Sequence, residues 1–171
     1  MSEVDNSYKW YALYTRSRAE KKLHHLLVEK GIESFLPLRK TLKQSSDRKK
    51  WVEEPLMRSY LLVHVSEKEY FDVLNTPGAV RYVSFEGKAA EIPEAHVLAL
   101  KNFIENKPED ITVEAGSLAP GETMEVIRGP LKGIKGEIIE IRGSHRLLLR
   151  FDTLNLCVHT EVELRDVKKG I

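Results

Sequence analysis

Residues 60–69, Tyr60-Leu61-Leu62-Val63-His64-Val65-Ser66-Glu67-Lys68-Glu69, decide how the rest of the chain is read. The first six are β-rich and apolar at both parities, as in a strand inside a sheet. The next four form a Ser-x-x-Glu capping box that starts a helix. Tyr70, Val73 and Leu74 lie behind the box, and Pro77-Gly78 ends the helix. The same order stands near the beginning of the chain. Trp10 to Thr15 is apolar on both faces, and Ser17-Arg18-Ala19-Glu20 is another capping box. Ala19, Leu23, Leu26 and Leu27 then recur at helical spacing, and Gly31 stops the helix. Between these two blocks, Glu33 to Lys43 is extended, with Pro37 pointing to a sheet edge. Gln44 to Arg48 turns the chain, and Lys49 to Leu56 returns as the second arm of a long hairpin. Downstream, Ala79 to Phe85 is another β-rich run. Pro93 opens a third helix with Val97, Leu100 and Ile104 on one face, and Pro108 marks its end.

This order predicts an α+β fold, a βαββαβ-like sandwich with helices packed on one face of an antiparallel sheet. Residues 106–119 show no clear period and read as a linker or a terminal strand. From Pro120 onward the pattern changes. Short β-rich runs (Met124–Ile127, Glu137–Ile141, Leu147–Phe151, Cys157–Glu161) alternate with Gly129-Pro130, Gly133, Gly136, Gly143 and Asp152. That spacing predicts a small β-barrel of about five strands. The expected division is 1–107, a linker over 108–120, and a second domain over 121–171.

The 171 residues carry a formal net charge of +1. No global field draws the chain to nucleic acid, so any such contact must come from a local patch. A single cysteine, Cys157, precludes an intrachain disulfide and fits a reducing compartment. Met1 to Asn6 is polar and acidic, and no apolar run is long enough to span a bilayer, so a cytoplasmic, membrane-free protein is expected.

The six histidines lack paired ligand spacing. His24 and His25 diverge by about 100° on a helix, and His64, His96, His145 and His159 are scattered. Gly129, Gly133 and Gly136 lack the strand–loop–helix setting of a phosphate loop. Glu53 and Glu54 face opposite ways on a strand, and Cys157 has no nucleophile motif around it. The expectation is no enzyme, no catalytic residue, no metal and no cofactor. Basic residues do cluster. Arg39, Lys40, Lys43, Arg48, Lys49, Lys50 and Arg58 fall on the hairpin and just after it, and Arg16, Arg18, Lys21 and Lys22 sit at the first helix's start. These read either as solvated surfaces or as phosphate contacts, with Trp51 and Tyr60 able to stack on unpaired bases or to pack inward.

Several segments together resemble the NusG family of transcription elongation factors. Trp10-Tyr11-Ala12-Leu13-Tyr14 is similar to its opening strand, and Glu54 to Val63 (EPLMRSYLLV) to its "PLFPGYVLV" segment. Pro77 to Val83 (PGAVRYV) is similar to its "PGVTGFV" segment. Pro120-Gly121-Glu122 followed by Val126 to Gly136 (VIRGPLKGIKG) resembles the start of a KOW motif with its glycine at Gly136. The resemblance runs from Trp10 to Lys169. Within the family, Glu54-Pro55-Leu56 and Arg81 to Gly87 are similar to specialised paralogues of the RfaH and UpxY type.

The resemblance implies an N-terminal NGN domain that docks on the β′ clamp helices of RNA polymerase, with the β subunit a further contact, and a C-terminal KOW domain. It implies a specialised antitermination or elongation factor acting at capsular polysaccharide or similar long operons. The polymerase-binding hollow maps to Leu56, Met57, Tyr60 and Tyr82. Arg58-Ser59 stands where the family has Pro-Gly, and Met57 where it has phenylalanine. The His-Thr-Thr triplet by which RfaH reads non-template DNA is replaced near Glu69-Tyr70-Phe71. Arg16 and Arg18, with Lys49 and Lys50 on the hairpin, are the candidate contacts to non-template DNA or nascent RNA. Leu154 and Leu156 map to the KOW contact for Rho or a small-subunit ribosomal protein. Leu156 stands where an aromatic residue is expected, which speaks against Rho. The alternative is a ribosome- or RNA-binding KOW protein using Lys132, Lys135, Arg142, Arg146 and Arg150.

Overall fold

The computed structural model describes residues 5–116 and 118–169. Met1 to Val4 of the polar N-terminal stretch, Ser117 of the expected linker and Gly170-Ile171 lie outside the described residues. The chain divides into two compact units. One comprises Met1–Leu38 and Glu53–Glu94, and the other Arg39–Val52 and Ala95–Ile171.

In the first unit, β1 (Lys9–Thr15) leads into α1 (Glu20–Glu29), followed by β2 (Glu33–Phe35). The chain then enters and leaves the hairpin β3 (Leu38–Ser45) and β4 (Arg48–Pro55), and returns as β5 (Tyr60–Val65). Next come α2 (Tyr70–Leu74), β6 (Ala79–Tyr82), β7 (Ser84–Phe85), β8 (Lys88–Ala89) and β9 (Glu91–Ile92). The main sheet runs β2-β5-β1-β6, with β9 also paired to β1. All of its pairings are antiparallel.

The central pair β1–β5 is buried at both parities, as expected from its apolar character. One face carries Leu13, Leu61, Val63 and Tyr82. Leu23 and Leu27 of α1 and Val73 of α2 pack on it with Ile32 and Leu36. Leu23 and Leu27 are one helical turn apart, so they present a single stripe to the sheet. Gly31 ends α1 at φ +76°, where a Cβ would strain the backbone. On the opposite face Trp10, Ala12, Leu62 and Ile92 are buried, and Trp10 stacks on His64 with ring centroids 4.8 Å apart.

The two capping boxes do not behave alike. Glu69 turns back to accept from the Ser66 backbone N–H (3.0 Å) and hydroxyl, which is the carboxylate half of a capping box, while α2 itself is capped at Glu69 without a side-chain bond. The expected Ser17–Glu20 box does not form. Arg18 adopts φ +62° and α1 is capped at Ala19 without a side-chain bond. The Glu20 carboxylate, buried, accepts instead from the Ser59 N–H at 2.8 Å.

In the second unit, α3 (Glu94–Asn106) buries Val97, Ala99, Leu100 and Phe103. Ile104, expected on that face, is only half-buried because Phe103 takes the inward position one residue earlier. His96 lies edge-on to Phe151 with centroids 5.6 Å apart. The segment read as a linker or terminal strand holds β10 (Thr112–Ala115). The strands β11 (Glu122–Val126), β12 (Lys135–Ile141), β13 (Ser144–Phe151), β14 (Leu156–Glu161) and β15 (Val167–Lys169) follow. They are the five strands expected after Pro120, and β10 makes a sixth, in the order β10-β14-β13-β12-β11-β15. The β12–β13 turn places Arg142 at φ +51° and Gly143 at φ +81°, the type I′ geometry that matches strand twist. Gly136 has no room for a side chain, since a Cβ there would sit 2.8 Å from the Leu148 carbonyl oxygen.

Candidate functional site

The Pro55–Tyr60 turn is built from the backbone upward. The Leu56 N–H donates to the Pro37 carbonyl at 2.8 Å, and the Thr15 N–H donates to the Ser59 carbonyl at 2.9 Å. Ser59 takes φ +65°, a left-handed position that family members fill with glycine according to the resemblance. Its N–H is held by Glu20, so the turn is anchored to the start of α1. Within it Leu56 and Met57 point inward, Met57 being only 2% exposed, while Arg58 is exposed.

Strand register then sorts the aromatic residues. Tyr60 of β5 faces Tyr14 of β1, and Tyr14 faces Arg81 of β6. These three therefore form a row across the sheet on one face. The Tyr14 and Tyr60 rings lie 4.9 Å apart, and the Arg81 guanidinium sits over the Tyr14 ring at 4.9 Å. A guanidinium over a ring face is attracted by its quadrupole. Burial, and then the Tyr14 hydroxyl beside it, push the Tyr60 phenol up to about 12, so it is a neutral hydrogen-bond donor at physiological pH.

Tyr82 falls at the other parity. It faces Leu13, shares the helix-side core and is 4% exposed. Its ring stacks on Tyr70 at 4.2 Å and meets Tyr11 edge-on at 5.9 Å, and its hydroxyl donates to the Tyr70 carbonyl at 3.0 Å. Burial raises its pKa well above the ordinary tyrosine value. The single hollow expected from Leu56, Met57, Tyr60 and Tyr82 is thus corrected. The strands bearing Tyr60 and Tyr82 are separated by β1, and the two side chains point to opposite faces. Alternation along β6 shows the reason, because Arg81 and Tyr82 are adjacent and must diverge. Sequence reasoning missed Tyr14 and Arg81 as members of the row, although both follow from counting alternate residues once the strand order is known.

An open depression on the helix-side face, about 740 Å³, is lined by Lys9, Tyr11, Tyr70, Phe71, Lys88 and Glu91 among others. Tyr8 donates to Glu69 nearby at 2.6 Å.

Of the basic candidates, Arg16 and Arg18 are exposed between β1 and α1, and the Arg16 backbone N–H donates to the Gly78 carbonyl at 2.8 Å. Lys49 and Lys50 are exposed on β4, in the other unit. In that unit Leu154 is buried in a short 3-10 turn, and Leu156 is half-buried at the start of β14, opposite Ala115 and Phe151.

Two of the barrel cations are spoken for. Arg150 makes a two-pronged ion pair with Glu137 at 2.9 and 3.0 Å. Arg146, almost fully buried, donates to both Asp110 carboxylate oxygens (2.9 and 3.2 Å) and to the Asp110 carbonyl. Thr160 and the Glu161 N–H complete the Asp110 shell. The Arg146 Nε also donates to His159 Nδ1 at 3.0 Å. A guanidinium only donates, so Nδ1 accepts, and Nε2 carries the proton that reaches Glu114 at 3.1 Å. Sequence patterning did not reveal this network, whose members are spread over 52 residues.

A family model described as transcription termination factor NusG matches residues 8–101. The chain is similar to the transcription termination/antitermination protein NusG of Staphylococcus carnosus (strain TM300), with 26% identity over 99% of this chain and 100% of that protein. It is similar to the same extent to the NusG protein of Staphylococcus aureus (strain N315). Among solved structures, the one described as "Domain interaction in Thermotoga maritima NusG" aligns with a TM-score of 0.51 and 18% identity. That alignment covers 95% of this chain and 97% of the other, and it shows a shared fold.

Proposed function

The chain belongs to the NusG family of transcription termination/antitermination factors, and on that premise we propose that it is a specialised member which binds RNA polymerase and suppresses pausing or termination along long operons of the capsular polysaccharide type. The polymerase contact is the Leu56–Tyr60 turn together with Tyr14 and Arg81, received by the β′ clamp helices. The observation that carries this reading is the Tyr60–Tyr14–Arg81 row beside an anchored turn. Aromatic and arginine side chains on a rigid sheet lose little conformational freedom on binding and dominate interface energetics. Tyr82 supports the row from behind, as part of the core.

Binding of this kind favours the elongating conformation of the polymerase over the paused one by differential affinity, with no covalent step. Arg16 and Arg18 on one unit, and Lys49 and Lys50 on the other, contact phosphates of the non-template DNA or nascent RNA. Half-buried Leu156, with Leu154 buried behind it, marks the KOW contact to a small-subunit ribosomal protein. The alternative, a ribosome- or RNA-binding KOW module, is weakened because Arg146 and Arg150 are already paired with Asp110 and Glu137.

Co-purification of core RNA polymerase with the full-length chain tests the reading. Tyr60→Ala is expected to weaken capture by at least tenfold and to abolish the effect on a paused template, with the thermal midpoint of the variant reported alongside. Undiminished capture by folded Tyr60→Ala would remove the Tyr60 row as the contact.

A further inference from the structure

The β3–β4 hairpin has an inward and an outward face. Towards its base, half-buried Arg39, Thr41, Val52 and Glu54 alternate with exposed Lys40, Leu42, Trp51 and Glu53, while towards its tip both parities are exposed, Lys43 and Lys50 as well as Gln44 and Lys49. This alternation is the parity of a two-stranded ribbon. The outward face carries two large apolar side chains, Leu42 at 46% and Trp51 at 66% exposure. Between Lys40 and Trp51 there are five cations (Lys40, Lys43, Arg48, Lys49, Lys50) and one carboxylate (Asp47).

The cations have a structural explanation. Lysines guard an isolated strand edge against pairing with other chains. That explanation does not extend to Trp51. A protective surface would place charge where this chain places its largest apolar ring, and leaving that ring in water forgoes its burial.

We infer that the outward face of this hairpin is a stacking platform for an unpaired nucleic-acid strand, with Trp51 taking a base and Lys49 and its neighbours taking the flanking phosphates. The inference rests on the proposed role of Lys49 and Lys50 as phosphate contacts, and adds what kind of strand they hold. Lys49 and Trp51 are two residues apart on one strand, about 7 Å along the same face. They therefore present an ammonium and a ring side by side, as one nucleotide presents a phosphate and a base. A duplex offers phosphates to the lysines but hides its base faces in the stack, so it leaves the ring unused. Stacking accepts any base, because every base has a π-face. The ring and the ammonium make no demand on the sugar, so DNA and RNA strands are held alike. A membrane is a poor match, because one Leu and one Trp on a narrow ribbon lack the broad apolar face that inserts into lipid.

Fluorescence anisotropy with labelled dT12, U12 and a 12-base-pair DNA duplex tests the inference on the full-length chain. Trp51→Ala is expected to weaken dT12 and U12 about tenfold or more and to leave the duplex unchanged, whereas Trp51→Phe keeps dT12 within about threefold of wild type. Lys49→Ala with Lys50→Ala is expected to weaken all three and to lower the salt slope on single strands by about 1.4. The chain has two tryptophans, and Trp10 is buried, so quenching of intrinsic fluorescence by dT12 should vanish in Trp51→Phe. Equal affinity of Trp51→Ala and wild type for dT12 would overturn the stacking role, as would equal losses on duplex and single strand, or Trp51-dependent binding of polyglutamate as tight as that of dT12. If the lysine variant keeps its phosphate effect while Trp51→Ala does nothing, only the stacking inference fails. If neither variant changes binding, the phosphate reading of the hairpin fails with it.

Discussion

Asp110→Ala should loosen the anchor that holds the start of β10 to β13 and β14 within the second unit. The Asp110 carboxylate takes two hydrogen bonds from Arg146, one from Thr160 and one from the Glu161 N–H. Removing one partner of a sealed ion pair costs about 3–5 kcal/mol, because the remaining charge stays buried without compensation. Here the Arg146 side chain is 11% exposed and that of Asp110 37%. Water recovers part of the loss, and about 2 kcal/mol is the expected penalty. For a unit of this size each kcal/mol lowers the midpoint by roughly 4–8 °C, so calorimetry of the full-length variant should show the second unit melting about 8–16 °C earlier. Adding Arg146→Met should restore much of the difference, since replacing both partners removes the stranded charge. The pH dependence has a definite sign. Burial pushes the Asp110 carboxyl up, but the Glu161 N–H, Arg146 and Thr160 donors outweigh it and hold it below 3.8. A depressed carboxylate stabilises above its unfolded pKa and loses that contribution as pH falls through the folded value. The gap between wild type and Asp110→Ala should therefore close in acid. A midpoint shift under about 2 °C, or a double variant no better than the sum of the singles, would refute this account.

Gly136→Ala should destabilise the second unit by about 1–3 kcal/mol, measured by chemical denaturation, because its Cβ would meet the Leu148 carbonyl at 2.8 Å and the Leu147 Cδ1 at 2.9 Å. An unchanged denaturation midpoint would show that β13 yields easily there. Glu69→Gln should flatten the acid limb of the first unit's stability. The Ser66 hydroxyl, and then Tyr8, hold the Glu69 carboxyl down to about 2, so wild type loses this contribution as pH falls from 4.5 towards 2 and the variant has none to lose. A midpoint difference that stays constant over that range would remove the Ser66–Glu69 bond from the stability of α2.

Local patterning carried the element order well. YLLVHV and WYALYT became the central strands, because residues apolar at both parities can only be buried on both faces. Gly31 and Gly143 marked positions that need positive φ. Boundaries depended on competition that patterning does not display. Ser17 lost its capping role because Arg18 turned left-handed, and Glu20 found a better donor in Ser59, 39 residues away. The stretch around Glu114 carries no period because β10 is only four residues long, too short to show one.

From the residue order alone follow the strand–helix alternation, the glycine-marked turns and the barrel-type strands after Pro120, along with the basic character of the hairpin. Each depends on interactions within a few residues, where periodicity and backbone preference act directly. Which side chains meet was settled by tertiary pairing. The insertion of β1 between β5 and β6 set Tyr60 beside Tyr14 and Arg81, and turned Tyr82 into the core. A one-residue difference in strand parity moves a side chain to the other face of a sheet, and only the register between distant strands fixes that parity.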